Sequence, residues 1–269
     1  GVMNFIGAAS QSGNFFGTNV YPVTHLMLQT LSGSFNFMLI IVLTFYAGEL
    51  IFKERQVRIA DVSDAMPVPD WAPLAAKCVA LIGVIFGFLL TGALAGACFQ
   101  LYKGGAPIEA GLYLKGVLLE SAFFVLMGMF ALALQVLTNN KFIGYGLVIL
   151  LMVSQIVLGV MHFDHNLYNF AALPGLRYSD MNGYGHFLKG WAWYGLYWGL
   201  FTVSALILAQ AFWVRGLARQ WRGRVRLAGA RLKGGAGVAL ALSVAGFIAC
   251  GAWIFYNTNV LNEYVPSDV

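Results

Sequence analysis

Hydrophobic residues in this chain come in long blocks, not in the alternation of a strand or the single stripe of a surface helix. Six blocks run approximately over 24–46, 74–100, 111–137, 142–161, 190–213 and 235–256. At 1.5 Å per residue, about 20 helical residues cross a hydrocarbon layer of about 30 Å. In that layer each backbone polar group must find its partner within the segment, so each block predicts a helix. The fourth block is short, whereas the second and third are long enough to tilt or protrude. The pattern predicts an all-α, polytopic membrane protein: a transmembrane domain over 24–256, an external segment over 1–23 and an external linker over 257–269.

One polar segment has a helical pattern of its own. GELIFKERQVRIADVSDAMPVPDW, residues 48–71, holds eight of the 27 charged side chains. On a helical wheel over 49–66, Phe52, Ile59, Val62 and Met66 fall on one side. Lys53, Glu54, Arg58, Asp61 and Asp64 fall on the other. This predicts an amphipathic helix along the membrane surface. Pro67 and Pro69 stop it, and Trp71 anchors the chain as it re-enters the bilayer. Its charged face fits either simple solvation of a loop or a docking surface for a partner.

Composition agrees with the blocks. The 269 residues are 59% hydrophobic and 10% charged, with a mean hydropathy of +0.74, whereas soluble domains carry about 25% charged residues. A pI near 9.1 raises nucleic-acid binding, but the positions of the bases exclude that reading. Taking loops alternately, one set holds Lys53, Arg55, Arg58, Lys77, Lys141, Arg215, Arg219, Arg222, Arg224, Arg226, Arg231 and Lys233; the other holds Lys103, Lys115, Arg177 and Lys189. Twelve bases against four marks the first set as cytoplasmic, beside anionic lipid, and puts both chain ends outside. Trp191, Trp193, Tyr194, Tyr197, Trp213, Trp253 and Tyr256 sit at block edges, where such rings favour the headgroup layer.

Candidate chemistry is sparse. Cys78, Cys98 and Cys250 have no CxxC spacing and read as small apolar side chains. Neither HExxH nor GxxxxGK[ST] occurs, so the chain is read as no enzyme, with no bound cofactor of its own. The first twenty residues lack a signal-peptide pattern. Haem ligation needs paired histidines inside blocks, and His25 lies at a block boundary. The external loop 162–189 carries His162, Asp164, His165 and His186, spaced too loosely to assign a metal, and Asn182-Gly183 predicts a tight turn. Glu120 lies well inside the third block, where an ionisable group costs about 2.5–3.5 kcal/mol to insert. It reads either as pathway lining or as an interhelical hydrogen-bonding group. Gln135 and Gln155 read as interhelical hydrogen-bonding groups, and Gly83/Gly87 and Gly92/Gly96 as close-packing positions.

A span, a charged E…ER helix, then PVPDWAPLAAK (67–77) leading into the next span resembles the ABC-2 type permeases. That resemblance implies a coupling helix docking into a separate ABC ATPase subunit, which holds the ATP, and a second permease half. Glu49, Lys53, Glu54, Arg55 and Arg58 occupy the positions that resemble the coupling element. The loop 162–189 corresponds to the family's external gate of short re-entrant helices, with His162, Asp164, His165, Asn182, Gly183 and His186 as gate candidates. In this register the first block matches the family's second span, and the family's first span would precede Gly1. ELIFKERQVRIADVSDAMPVPDW, HNLYNFAALPGLRYSDMNGYGHF and GAWIFYNTNVLNEY are similar to the bacterial permeases fused to an aminopeptidase N-like zinc peptidase. This implies the bacterial inner membrane, and a zinc domain beyond the last block. Its rival reading is a membrane anchor for that external peptidase, without transport.

Overall fold

In the computed structural model, which describes residues 14–15, 18–19, 23–103, 107–163, 165–214 and 221–262, the hydrophobic blocks are helices. In chain order the helices are α1 (Thr24–Gln56), α2 (Ala60–Ala65), α3 (Ala72–Tyr102), α4 (Ala110–Thr138), α5 (Lys141–Val160), α6 (Phe187–Ala211), α7 (Trp221–Arg231) and α8 (Gly235–Phe255). α8 continues into a π-helical turn, Tyr256–Val260. A short antiparallel pairing of Asn14–Phe15 with Thr18–Asn19 precedes them. Among the described residues six helices are long and apolar enough to cross a membrane: α1, α3, α4, α5, α6 and α8.

The helix over 49–66 does not form as one piece. Instead α1 runs on to Gln56, and the chain then closes a Schellman cap. Arg58 takes φ +59°, its N–H donates to Arg55 O at 3.3 Å, and Ile59 N–H donates to Glu54 O at 3.0 Å. Those are the 5→2 and 6→1 bonds of that motif, which satisfy carbonyls that a helix end leaves unpaired. The wheel pattern cannot register such a break, because the residues beyond it resume a helical period. Glu49 through Arg55 therefore belong to a spanning helix, and only the six residues of α2 form a separate one.

The same chemistry shapes two other helix ends. Asn139 takes the left-handed conformation (φ +51°) just after α4, and Asn140 caps α5, its side chain accepting from Phe142 N–H at 3.0 Å and Ile143 N–H at 3.3 Å. Asparagine suits both positions, so two residues suffice to reverse the chain. At the end of α5 His162 takes φ +58°, its N–H bonding Gly159 O and Phe163 N–H bonding Leu158 O. Beyond it, the described residues up to His186 run through turns and irregular backbone, where short re-entrant helices were expected.

The chain divides into two compact units, Gly1–Leu43 with Val79–Val125, and Thr44–Cys78 with Leu126–Val269. In the first, Leu39, Leu81, Ile85, Leu89, Val117 and Phe124 are buried. Gly92 meets Leu31 and Gly116 meets Leu28 so closely that a Cβ on either would lie 2.3 or 2.5 Å from a leucine methyl. Gly83 and Gly87 have open space instead, so that expected small-residue spacing is not packed, whereas Gly92 of the other is. Three buried polar side chains join α1, α3 and α4: Tyr113 OH donates to Gln100 Oε1 at 2.7 Å, and Gln100 Nε2 donates to Thr24 Oγ1 at 3.3 Å.

In the second unit α6 packs along α8. Tyr197 stacks on Phe247 with centroids 4.4 Å apart, Ser204 and Ser243 hydroxyls bond at 2.9 Å, and Tyr194, Cys250 and Ile254 form a buried cluster. The Gly251 backbone lies so close to the Tyr197 ring that a Cβ there would sit 2.8 Å from a ring carbon. Interhelical hydrogen bonds in bilayers contribute about 0.6 kcal/mol on average and up to about 1.7. Tyr113→Phe should therefore lower unfolding stability by about 1 kcal/mol in a reversible detergent assay; an unchanged midpoint would show the Tyr113–Gln100 bond to be idle.

Candidate functional site

The segments 49–77, 138–141 and 210–231 converge in the second unit through their charges. Glu49 on α1 pairs with Lys141 at the start of α5. Glu54 pairs with Lys77, in the second turn of α3, at 2.5 Å. Lys77 is buried and its ammonium lies 6.0 Å from the Trp213 ring centroid. Arg55 donates to Asn139 Oδ1 at 2.5 Å and to Val214 O at 3.4 Å, reaching both the α4–α5 turn and the chain beyond α6. α3 and α5 are thus tied to α1 directly, and the ends of α4 and α6 through the residues that follow them.

Two arginines of α7 complete the network. Buried Arg224 donates to Val136 O, Leu137 O and Phe212 O at 2.7–3.1 Å, so one guanidinium covers the ends of both α4 and α6. Arg231 donates to Gln210 O, Ala211 O and Trp213 O, and pairs with Asp70 at 3.2 Å. Cations at helix C-termini satisfy orphan carbonyls and complement the dipole. Burial, with the Arg55 charge nearby, lowers the Arg224 pKa from its ordinary value, but a guanidinium stays charged at neutral pH.

The coupling candidates therefore divide. Glu49, Glu54 and Arg55 are half-buried and paired into this network, whereas Lys53 and Arg58 are exposed. Around them Val57, Ile59, Val62, Met66 and Trp71 are exposed as well. Lys77, Lys141, Asn139, Asp70, Arg224 and Arg231 were not singled out as site residues. A lone lysine inside an apolar helix was the one available signal for Lys77, and the Arg224–Arg231 spacing that for the arginines.

Glu120 is half-buried on α4 in the first unit. Gln155 bonds Phe170 O in the loop (2.8 Å), not a neighbouring helix. Gln135 is fully buried against Gly144, with neither atom of its amide paired. In the loop after α5, His162 is the left-handed cap residue and His186 precedes α6, its ring beside Phe187. Gly183 (φ +59°) closes the expected tight turn, with Ser179 and Gly183 bonded in both directions. Asp164 lies outside the described residues. Among the described residues no three of His, Cys, Asp or Glu group closely enough for a metal ion.

His165 turns inward. Its Nδ1 accepts from Leu167 N–H at 3.1 Å, and its Nε2 lies 3.2 Å from Thr258 Oγ1 in the π turn. Phe170, one turn further, inserts among Phe130, Trp198 and Phe201, with ring centroids 4.7–5.7 Å apart. Ala171, fully buried, takes φ +59° to allow this insertion. Trp198 Nε1 donates to Asn166 O. The loop is therefore pinned to α4, α5, α6 and the end of α8.

Six spanning helices joined by polar turns define a multi-pass membrane protein. The chain belongs to the ABC-2 family transporter proteins, whose family model matches residues 2–161, more than half of its length and as far as the end of α5. This makes it a membrane component of an ABC transporter, a transport subunit that is not itself catalytic. No curated protein and no solved structure matches it.

Two outcomes are expected. Glu54→Lys should destabilise the protein by about 2 kcal/mol, by leaving the Lys77 charge uncompensated, and Glu54→Lys/Lys77→Glu should recover most of that in thermal unfolding. Recovery no greater than with Lys77→Met would deny the pairing. Burial also lowers the His165 pKa from the ordinary 6.5. A depressed histidine contributes stability that is present above the unfolded value and lost as pH falls below it through the folded value. Hydrogen exchange across 165–171 should therefore speed up as pH drops below 6.5, after correction for intrinsic rates, and His165→Gln should flatten that trend.

Proposed function

We propose that this chain is one half of an ABC-2 permease of a bacterial inner membrane, driven by a separate ATPase subunit and moving its substrate by alternating access. The observation that carries this is the charged network, which links the 49–71 segment to four spanning helices. Its orientation follows from the excess of bases at that end, which sets it in the cytoplasm and both chain ends outside. Lys53 and Arg58, with exposed Val57, Ile59 and Val62, form the face that meets the ATPase. Glu49, Glu54 and Arg55 carry the resulting motion inward. The pinned loop 165–186 serves as the external gate, together with His162 and Asp164, and a second permease half completes the pathway, with Glu120 lining it.

A second reading has its own support. Of the three segments that resemble the permeases fused to a zinc aminopeptidase, 165–187 and 251–264 lie beyond the family match. On this reading the helices anchor an external zinc peptidase, with no transport.

One experiment separates the two. Affinity purification of the full chain should retain an ABC ATPase whose activity responds to the membrane subunit. Lys53→Glu/Arg58→Glu should weaken that association about tenfold, by opposing charges at the interface rim, without shifting the unfolding midpoint. Absence of any ATPase, alongside zinc-dependent aminopeptidase activity in the preparation, would favour the anchor.

A further inference from the structure

Four arginines lie on α7, and only two are used by the network. Arg224, Ala228 and Arg231, at i, i+4 and i+7, make the inward face. At 100° per residue, Trp221, Val225 and Gly229 come next around the cylinder, and Arg222 and Arg226 beyond them. All five are exposed, Trp221 by 62% although it stacks on Phe212 (5.7 Å, 22°) and lies under the Arg224 guanidinium. The outward surface is therefore an apolar seam against the protein, bordered by a basic row. Tryptophan and valine suit the boundary between headgroups and acyl chains, and the row matches the charge of phosphates directly above it.

We propose that α7 is an anionic-phospholipid site, with Trp221 and Val225 in the acyl boundary and Arg222 and Arg226 on the lipid phosphate. The site rests on the membrane setting of the six helices and not on the transport reading. α7 lies in the lipid headgroup layer with its basic row facing the leaflet, and the two buried arginines hold it at that height. The lipid is bound by charge as well as by its chains, so a zwitterionic lipid of the same chain length is the weaker ligand.

The test uses the purified full chain in mixed micelles containing brominated phosphatidylglycerol or brominated phosphatidylcholine, and reads quenching of tryptophan fluorescence. Brominated phosphatidylglycerol should quench about twice as strongly at equal mole fraction, and the excess should shrink at high salt. Trp221→Phe should remove the excess. Arg222→Gln/Arg226→Gln should make the two lipids equal, whereas Arg222→Lys/Arg226→Lys should keep the preference. Elution volume and circular dichroism identify any variant that fails to fold, and the lysine pair then carries the comparison with wild type. Equal quenching in the wild type, or a preference that survives the glutamine pair, overturns the site. Quenching by either lipid that appears only after a co-purifying protein is stripped away also overturns it, because that protein then covers the face.

Discussion

A helix that ends inside or beside a bilayer leaves its last carbonyls without partners, and this constraint organises the charged end of the protein. α4 and α6 both finish there, and six carbonyls from 136 to 213 are taken by Arg224 and Arg231. Only a guanidinium offers five N–H donors in a fixed fork with a permanent charge. Because each arginine reaches several carbonyls at once, it fixes α7 across the helix ends and draws in Asp70 from the segment before α3. Arg55 does the same from the opposite direction, spanning Asn139 and Val214.

The other polar end of the second unit is built without charge. There the loop after α5 is held by an imidazole bonded to Leu167 N–H and Thr258 Oγ1, an indole N–H and a carboxamide, around the inserted Phe170 ring. Neutral bonds of this kind contribute about 1 kcal/mol each, and Ala171 holds a left-handed conformation that disfavours a Cβ. Such an attachment is weaker than the arginine network and opens more readily. On the proposed transport reading, a firm end and a looser end within one unit suit a permease that takes up a signal on one side and opens on the other.

The six spans were legible in the hydrophobic blocks because a bilayer imposes a one-dimensional rule of length and polarity. The count of bases adds an expectation for the side of each loop, by the same kind of one-dimensional rule. What the count could not separate was the role of each base. Arg222, Arg224, Arg226 and Arg231 look alike in a loop read as a basic run, yet the helical period divides them into two inward and two outward once 221–231 is known to be a helix. The break after Gln56 was hidden for a different reason. It depends on one arginine accepting a positive φ that its residue type does not favour.

The three ion pairs share an asymmetry that bears on coupling. In each the base is the less exposed partner, and Lys77 is buried outright: the side chains are 9% and 45% exposed for Lys77–Glu54, 21% and 46% for Lys141–Glu49, and 17% and 48% for Arg231–Asp70. On the proposed transport reading, an ATPase docking on Lys53 and Arg58 also lies beside these carboxylates, and drawing Glu54 from its partner leaves the Lys77 ammonium in a poorly hydrated setting. An uncompensated buried charge costs several kcal/mol, more than the pairs contribute at a wet surface. A docking contact that draws Glu54 outward therefore does not simply break a salt bridge. It makes the buried position of Lys77 unfavourable, and the start of α3 must shift to follow the carboxylate or to rehydrate the ammonium. In this arrangement a surface contact becomes a force on a spanning helix, which is the property a coupling element requires.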